Sequence, residues 1–378
     1  MSLFYLKKDL GQVLTPTCVA DLLTSEINLL QDRFNFVADL GGGTGILTKS
    51  ILAKNFGKNH DIFEIDSDLV EILKNDKVLS QTNIYNKDVF HINLSKYDLV
   101  VSNPPFIQFQ KNEKIREYGD ILFLEKMWSE IKEGSIFSFI VTNTFISNSK
   151  YRNIRSKILS ETSEFSVIEL DVFSYHKAEV QSFIITGKRG KVFNNKIILK
   201  KSNIFGEIVD ELELMRKDAL IRMDISFYKA INQLNSKLNL DGPLLGDLIS
   251  NIARGSKSHA YFKKKSINVF HTTDFSKYEN NIFFEKNNIE NEYKKAYQGD
   301  ILIPRVGTRC LNYSAYVEGG NSIFTDCIYR IRSEKKYQDL LMRSISSPEG
   351  VLWRKISATG SCAKHLTLDT LKKMPLFF

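Results

Sequence analysis

The stretch Phe36-Val37-Ala38-Asp39-Leu40-Gly41-Gly42-Gly43-Thr44-Gly45-Ile46-Leu47-Thr48 decides the architecture of the first half of the chain. Residues of strand character run without a break into a glycine-rich turn, and an amphipathic run opens directly after it. Glycine belongs where a chain turns sharply from strand to helix and brings its backbone close to a ligand. Taken alone, such a turn suits a dinucleotide, a phosphate, a methyl donor or no ligand at all.

Outward from this point, short runs rich in Ile, Val and Phe alternate with amphipathic stretches as far as Ile185, the pattern of a parallel sheet with crossover helices. The predicted strands are Phe36 to Leu40, Asp61 to Ile65, Asn83 to Tyr85, Asp98 to Ser102, Ser135 to Thr142, Val167 to Asp171 and Gln181 to Thr186. Helices are predicted at Ile46 to Lys54, Asp120 to Ile131 and Tyr151 to Leu159. Ahead of the first strand, Thr15-Pro16 predicts a helix over Thr17 to Leu30, with the Thr15 hydroxyl as its cap. Beyond Gly187 the alternation weakens and Glu207 to Asp218 reads as a charged helix. The expected boundary follows, giving an α/β domain over 1–221 and an α+β domain of mixed strands and turns over 222–378.

Composition narrows the function classes. With 43% hydrophobic and 25% charged residues in 378, the chain has the makeup of a soluble globular protein. No apolar run approaches the roughly 18 residues a membrane span needs. The N-terminus carries no secretion signal, so a cytoplasmic location is expected. Four cysteines and six histidines show no metal-ligand spacing, and no metal site is expected. The net charge of +8 is unevenly placed: from Arg222 onward there are 24 Lys and Arg against 15 Asp and Glu. A near-neutral first half joined to a cationic second half suits a protein whose second half lies on phosphates.

Glu64 lies near the end of the second strand, where a carboxylate is placed to accept hydrogen bonds from ribose hydroxyls. A nicotinamide cofactor and a methyl donor would both use it. After the third strand Asp88 is positioned to accept from an adenine amino group, with Val89 or Phe90 covering the ring. The fourth strand, Tyr97 to Ser102, delivers Asn103-Pro104-Pro105-Phe106 at its carboxyl end, the edge where open α/β sheets bind ligands. The amino group of a planar base is a poor nucleophile because its lone pair is delocalised. Two fixed acceptors, the Asn103 side-chain carbonyl and the Pro104 backbone carbonyl, would draw the nitrogen toward tetrahedral geometry and free that pair. The prolines fix two φ angles and carry no amide hydrogen to compete. Phe106 offers a face on which a flipped-out base can stack.

Gly11-Gln12-Val13-Leu14-Thr15-Pro16, Asp39 to Gly45, Glu64, Asp88 and Asn103 to Phe106, in this order, resemble the gamma class of N6-adenine DNA methyltransferases of bacterial restriction-modification systems over roughly Leu10 to Lys188. The resemblance implies a Rossmann-like seven-stranded methyltransferase domain that uses S-adenosyl-L-methionine. It implies that Thr15 helps hold the methionine end of the cofactor, above the loop containing Asp39, Gly41, Gly43 and Gly45. It further implies that Glu64 binds the ribose, Asp88 and Val89 the adenine moiety, and Asn103, Pro104 and Phe106 the target base. Phe173, in Asp171 to Lys177, corresponds to a second aromatic residue against that base, or else to a core phenylalanine. Many members of the class carry Tyr where this chain has Phe106; the Phe form also occurs in methyltransferases acting on ribosomal RNA. An RNA base or a protein glutamine is therefore the alternative substrate.

In the second half, Pro243 to Leu248, Arg254-Gly255, Gly299 to Thr308 and Ala358 to Pro375 are similar to a target-recognition domain of type I specificity subunits. That similarity implies double-stranded DNA as partner, with Lys257, Arg305, Arg309 and Lys364 as contacts. A single recognition domain suits a monomer, and the restriction-modification resemblance of the first half leaves room for a cognate restriction endonuclease as partner.

Overall fold

The computed structural model describes residues 13–112, 115–171, 181–236, 242–278, 280–285, 292–307, 310–359 and 364–377. The chain divides into two compact units, Met1–Ile225 and Ser226–Phe378.

Unit 1 opens with helix α1 (Thr17–Leu30), whose Val19, Ala20, Leu23 and Ile27 are buried along one stripe. Its bounds match the sequence expectation, but its cap does not. Pro16 holds the cap position without a side-chain bond, and the Thr15 hydroxyl is engaged elsewhere, as described below. Then follow β1 (Phe34–Leu40), α2 (Ile46–Ala53), β2 (Gly57–Glu64), α3 (Ser67–Asn75), β3 (Asn83–Asn86) and β4 (Leu99–Ser102). A hairpin of β5 (Gln108–Asn112) and β6 (Ile115–Tyr118) leads into α4 (Gly119–Glu130) and β7 (Ile136–Thr142). The unit continues through α5 (Asn143–Ser147), α6 (Arg152–Ser160), β8 (Thr162–Glu169), β9 (Ser182–Arg189), β10 (Lys196–Ser202) and β11 (Ile208–Met215).

These strands form one sheet in the order β11-β10-β8-β9-β7-β4-β1-β2-β3. From β3 to β7 the pairing is parallel, and β9 lies antiparallel between β7 and β8. This is the class I S-adenosylmethionine-dependent methyltransferase fold. β4 and β7 are buried along their whole length, as strands with both faces covered must be. On one face Val37, Leu99, Val101, Ile136 and Ile140 join α1 and the α2 residues Leu47 and Ile51 in a single cluster. On the opposite face Phe137 meets Trp128 of α4 edge-to-face at 5.5 Å.

Two strands escaped the sequence reading, so the sheet has nine strands instead of seven. The stretch predicted as a helix from Glu207 to Asp218 is β11 followed by the short helix α7 (Arg216–Ala219). Glu, Leu and Met favour helix locally. Here the alternation Glu211-Leu212-Glu213-Leu214 suits a strand, and β10 supplies complementary partners. Lys201 lies opposite Asp210 and Lys196 Nζ meets Glu213 at 2.5 Å, while Lys200, opposite Glu211, is buried and pairs with Glu26 of α1 at 2.7 Å.

Unit 2 contains β12 (Ile249–Arg254), β13 (Asn281–Phe283), β14 (Lys295–Tyr297), β15 (Ile301–Pro304), β16 (Ala315–Gly319), β17 (Asn321–Ile323) and β18 (Ile328–Ser333). Five of them form a sheet ordered β12-β18-β15-β16-β13, and β14 pairs with β17. Helices Lys335–Ser346 and Pro348–Ser357 pack Leu341, Ile345 and Trp353 against Ile301, Ile303 and Ile331. Among the described residues no helix is long and apolar enough to cross a membrane, and no cluster of His, Cys, Asp and Glu has the makings of a metal site.

Candidate functional site

The register of the parallel strands brings the sequence motifs together. Leu40 at the end of β1 lies opposite both Phe63 of β2 and Ser102 of β4. Gly41, Glu64 and Asn103, far apart along the chain, therefore leave the sheet side by side. β1 and β4 are also where the strand order reverses, so the chains leaving them diverge and open a crevice. The Ser102 hydroxyl donates to the Leu40 carbonyl at 2.6 Å and pins these two strand ends together.

A cavity of about 330 Å³ occupies this crevice, within the usual range for small-ligand sites. Gly41, Gly43, Glu64, Asp88, Val89 and Asn103 all line it, together with Pro105. Gly41, Gly43 and Gly45 have φ of +73°, +56° and +76°, a region that L side chains rarely adopt. A Cβ on Gly43 would have no neighbour closer than 4.0 Å, so the loop leaves open space there, and its amide donates to Glu64 Oε2 at 2.8 Å. Gly45 faces the other way: a Cβ there would lie 2.7 Å from Leu79, so this glycine serves the packing beneath the loop.

Glu64 is buried, its second oxygen accepting from the Asp66 amide at 2.9 Å. Asp88 caps the short turn Val89–His91 by accepting from the Phe90 amide at 3.0 Å. Phe90 meets Phe123 edge-to-face at 5.6 Å, and both rings line the cavity. Asp39 lies outside the cavity lining. Its carboxylate accepts from the Thr48 hydroxyl at 2.7 Å, and burial, with Glu64 nearby, pushes its pKa up to about 6.

At Asn103 the two ends of the amide differ. Nδ2 donates to the Val13 carbonyl at 3.1 Å and to the Thr15 hydroxyl at 2.8 Å. Exchanging nitrogen and oxygen would set Oδ1 against the Val13 carbonyl, acceptor against acceptor, so this orientation is the stable one. Oδ1 is buried and has no protein partner. An unsatisfied buried acceptor costs free energy, about 1–3 kcal/mol, which a donor in the crevice would recover. The neighbouring tetrapeptide is held by α4: a Cβ on Gly119 would come within 2.2 Å of the Pro105 carbonyl, so only glycine admits this approach. Pro104 is buried, and Phe106 is half-buried against the cluster that includes α1 and α2.

Several contributors carry no motif. The apolar walls from Ile65, Leu69, Phe109 and Phe123 read in the sequence as ordinary hydrophobic residues, whereas Val13 and Leu14 belong to the motif ahead of α1. Gly119 left one signal, a glycine as the first residue of a helix, after Tyr118 in the cap position without a side-chain bond. Phe173 and Arg309 lie outside the described residues. In unit 2, Lys257 is exposed with Nζ 5.2 Å from the Tyr261 ring. Arg305 is half-buried and donates Nε to the Asp326 carbonyl at 2.9 Å. The Lys364 carbonyl accepts from the Gly307 amide at 3.0 Å.

The strand order, the glycine loop and the crevice at the carboxyl ends of β1 and β4 are those of the S-adenosylmethionine-dependent methyltransferase fold. Residues 25–174 match the family of Eco57I restriction-modification methylases. The chain is 23% identical over 192 residues to the modification methylase CviBIII of Paramecium bursaria Chlorella virus NC1A, covering 48% of each. It is 37% identical over 95 residues to the ribosomal RNA small subunit methyltransferase A of Mycoplasma capricolum, covering 23% of this chain and 35% of that one. The type IIG restriction endonuclease BpuSI shares the fold with a TM-score of 0.55 at 11% identity, over 98% of this chain and 59% of that one. The chain thus spans about half the length or less of these curated relatives.

S-adenosylmethionine fits the residues present. The loop over Gly43 leaves room for a ligand, Glu64 and Asp88 offer acceptors for ribose and adenine, and apolar side chains wall the cavity. Bound there, the cofactor supplies an activated methyl group.

Proposed function

We propose that the protein is a site-specific DNA methyltransferase that methylates N6 of a flipped-out adenine, with unit 2 as its target-recognition domain. The observation that carries the chemistry is Asn103, whose amide hydrogens are consumed by Val13 and Thr15 while Oδ1 stands unpartnered at the wall of the cofactor cavity. An acceptor fixed in this way selects an N–H donor. Oδ1 and the Pro104 carbonyl receive the two hydrogens of the target amine, localise its lone pair and leave it aimed at the methyl group. Glu64 holds the ribose, and Asp88 and Val89 hold the adenine ring of the cofactor. The loop carrying Gly41 and Gly43 lies beneath the cofactor, Asp39 and Gly45 support that loop from behind, and Phe106 stacks on the base. Thr15 acts through Asn103 as well as toward the cofactor.

Duplex DNA is favoured by the restriction-modification family match and by the excess of Lys and Arg in the second half. In this reading Lys257, Arg305 and Lys364 contact DNA, and the enzyme acts as a monomer beside a cognate endonuclease. The likeness to a ribosomal RNA methyltransferase, together with Phe106, favours RNA as the second reading. Incubation with cofactor labelled in its methyl group and either duplex DNA or ribosomal RNA decides between them. Label is expected in DNA, at N6 of adenine; label in RNA alone overturns the proposal.

A further inference from the structure

In unit 2 the end of β12, the start of β18 and the end of β15 lie along one edge of the sheet, because β18 runs antiparallel to both neighbours. Backbone bonds knit the segments that meet there. The Gly255 amide donates to the Ile328 carbonyl, Asp326 to Lys257, Arg305 to Cys327, Leu366 to Arg305 and Gly307 to Lys364. A Cβ on Gly255 would fall 2.2 Å from the Thr325 carbonyl, so the segment after β12 is pressed directly onto the one that leads into β18.

Asp326 stands in the middle. Its carbonyl accepts from Arg254 Nε at 3.1 Å and from Arg305 Nε at 2.9 Å, and its carboxylate accepts from Arg254 Nη2 at 3.0 Å. Arg254 was not among the DNA contacts expected from the sequence. Its side chain remains 48% exposed, and these bonds use Nε and one hydrogen of Nη2, so the hydrogens along the Nη1–Nη2 edge of the guanidinium are left over. His365 is held below its ordinary pKa by burial and by the nearness of Arg305 and Arg254, so cationic groups converge here around a single bonded carboxylate. On the adjoining segment Lys257 and Lys265 have their Nζ atoms 5.2 and 5.1 Å from the Tyr261 ring.

We propose that this sheet edge is the DNA-reading surface of unit 2, on which Arg254, braced by Asp326, reads a guanine while Lys257 and Lys265 hold phosphates. The proposal rests on the DNA reading given above. A guanidinium fixed along one edge presents the other as a two-pronged donor that matches N7 and O6 of guanine in the major groove. Fixing it in advance removes rotamer freedom that would otherwise be lost on binding. The lysines stand on flexible stems and carry point charges, which suits phosphates and conveys no sequence information.

The test uses the full chain, genomic duplex DNA and mapping of the methylated adenines. Arg254→Ala is expected to lower kcat/KM for the preferred sites roughly 5- to 150-fold and to relax the choice of base at one guanine, with cofactor affinity unchanged. Asp326→Asn keeps the backbone acceptor and loses the ion pair; it is expected to relax the same position more weakly. Lys257→Ala with Lys265→Ala is expected to weaken all duplexes alike and to flatten the dependence of log K on log salt by about 2. If the wild type methylates duplex DNA and Arg254→Ala matches it in both rate and site choice, this surface is overturned and the DNA reading stands. If the wild type labels ribosomal RNA alone, the DNA reading falls and the surface with it.

Discussion

Asn103 and Arg254 are built alike and placed differently. Each spends one edge of its side chain on the protein: Asn103 gives Nδ2 to Val13 and Thr15, and Arg254 gives Nε and Nη2 to Asp326. The free atom of Asn103 is buried, whereas the side chain of Arg254 is 48% exposed. A buried acceptor has no water to satisfy it, so its full strength goes to whatever donor enters. An exposed guanidinium edge is hydrated until it binds, and only the difference between right and wrong partner counts. Burial thus suits a group that changes a barrier, and braced exposure suits a group that selects.

The comparison breaks first at Asn103. Asn103→Ala is expected to lower kcat by about 10²–10³-fold, the usual loss for a preorganised acceptor or donor at a reacting atom, while cofactor affinity holds. Single-turnover kinetics with titration of the cofactor checks this. A variant that kept its rate would mean that Oδ1 faces no reacting amine.

The next largest effect sharpens the contrast between buried and exposed charge. Burial raises Asp39 from 3.8 to about 6, so the folded state holds its proton more tightly than the unfolded chain. Stability is therefore full below the unfolded value and is lost as pH rises from about 4 to about 6. At pH 7 the cost comes to about 3 kcal/mol. Asp39→Asn keeps an acceptor for Thr48 and removes the charge. It is expected to stabilise the cofactor-free protein at pH 7–8 and to leave it nearly unchanged at pH 4, as read by denaturant melts of both forms across that range. In unit 2, burial lowers His271 and His365. Their contribution is expected to run the other way, present above pH 6.5 and lost as pH falls below it.

The smallest effect separates the two ends of the Asn103 amide. Thr15→Val removes one acceptor from Nδ2 and leaves the shape nearly unchanged, so Asn103 loses part of its orientation. A fall of roughly 10-fold in kcat is expected, the worth of one hydrogen bond of about 1.4 kcal/mol. Thr15→Ser should restore the rate. Equal losses in both variants, confined to cofactor affinity, would return Thr15 to a purely cofactor-binding role.

Much of unit 1 was legible because its signals are local. The run from Phe36 to Gly45 carries strand, turn and helix start in one stretch, and seven strands follow from apolar runs. β11 was hidden because Glu, Leu and Met favour helix locally, and its cross-strand partners on β10 appear only once the strands are in register. The cavity walls were hidden for a similar reason. Ile65, Leu69 and Phe123 become a site only where distant segments converge.

By itself the sequence determined which residues would stand at the ends of the parallel strands. A strand must end where glycine or proline ends it, and the end of a parallel strand is where ligands bind. Tertiary structure alone decided what those residues were free to do. The Asn103 amide gained its direction from Val13 and Thr15, and the Arg254 guanidinium gained its brace from Asp326. Hydrogen bonds depend on distance and angle between atoms whose separation along the chain carries no information about either.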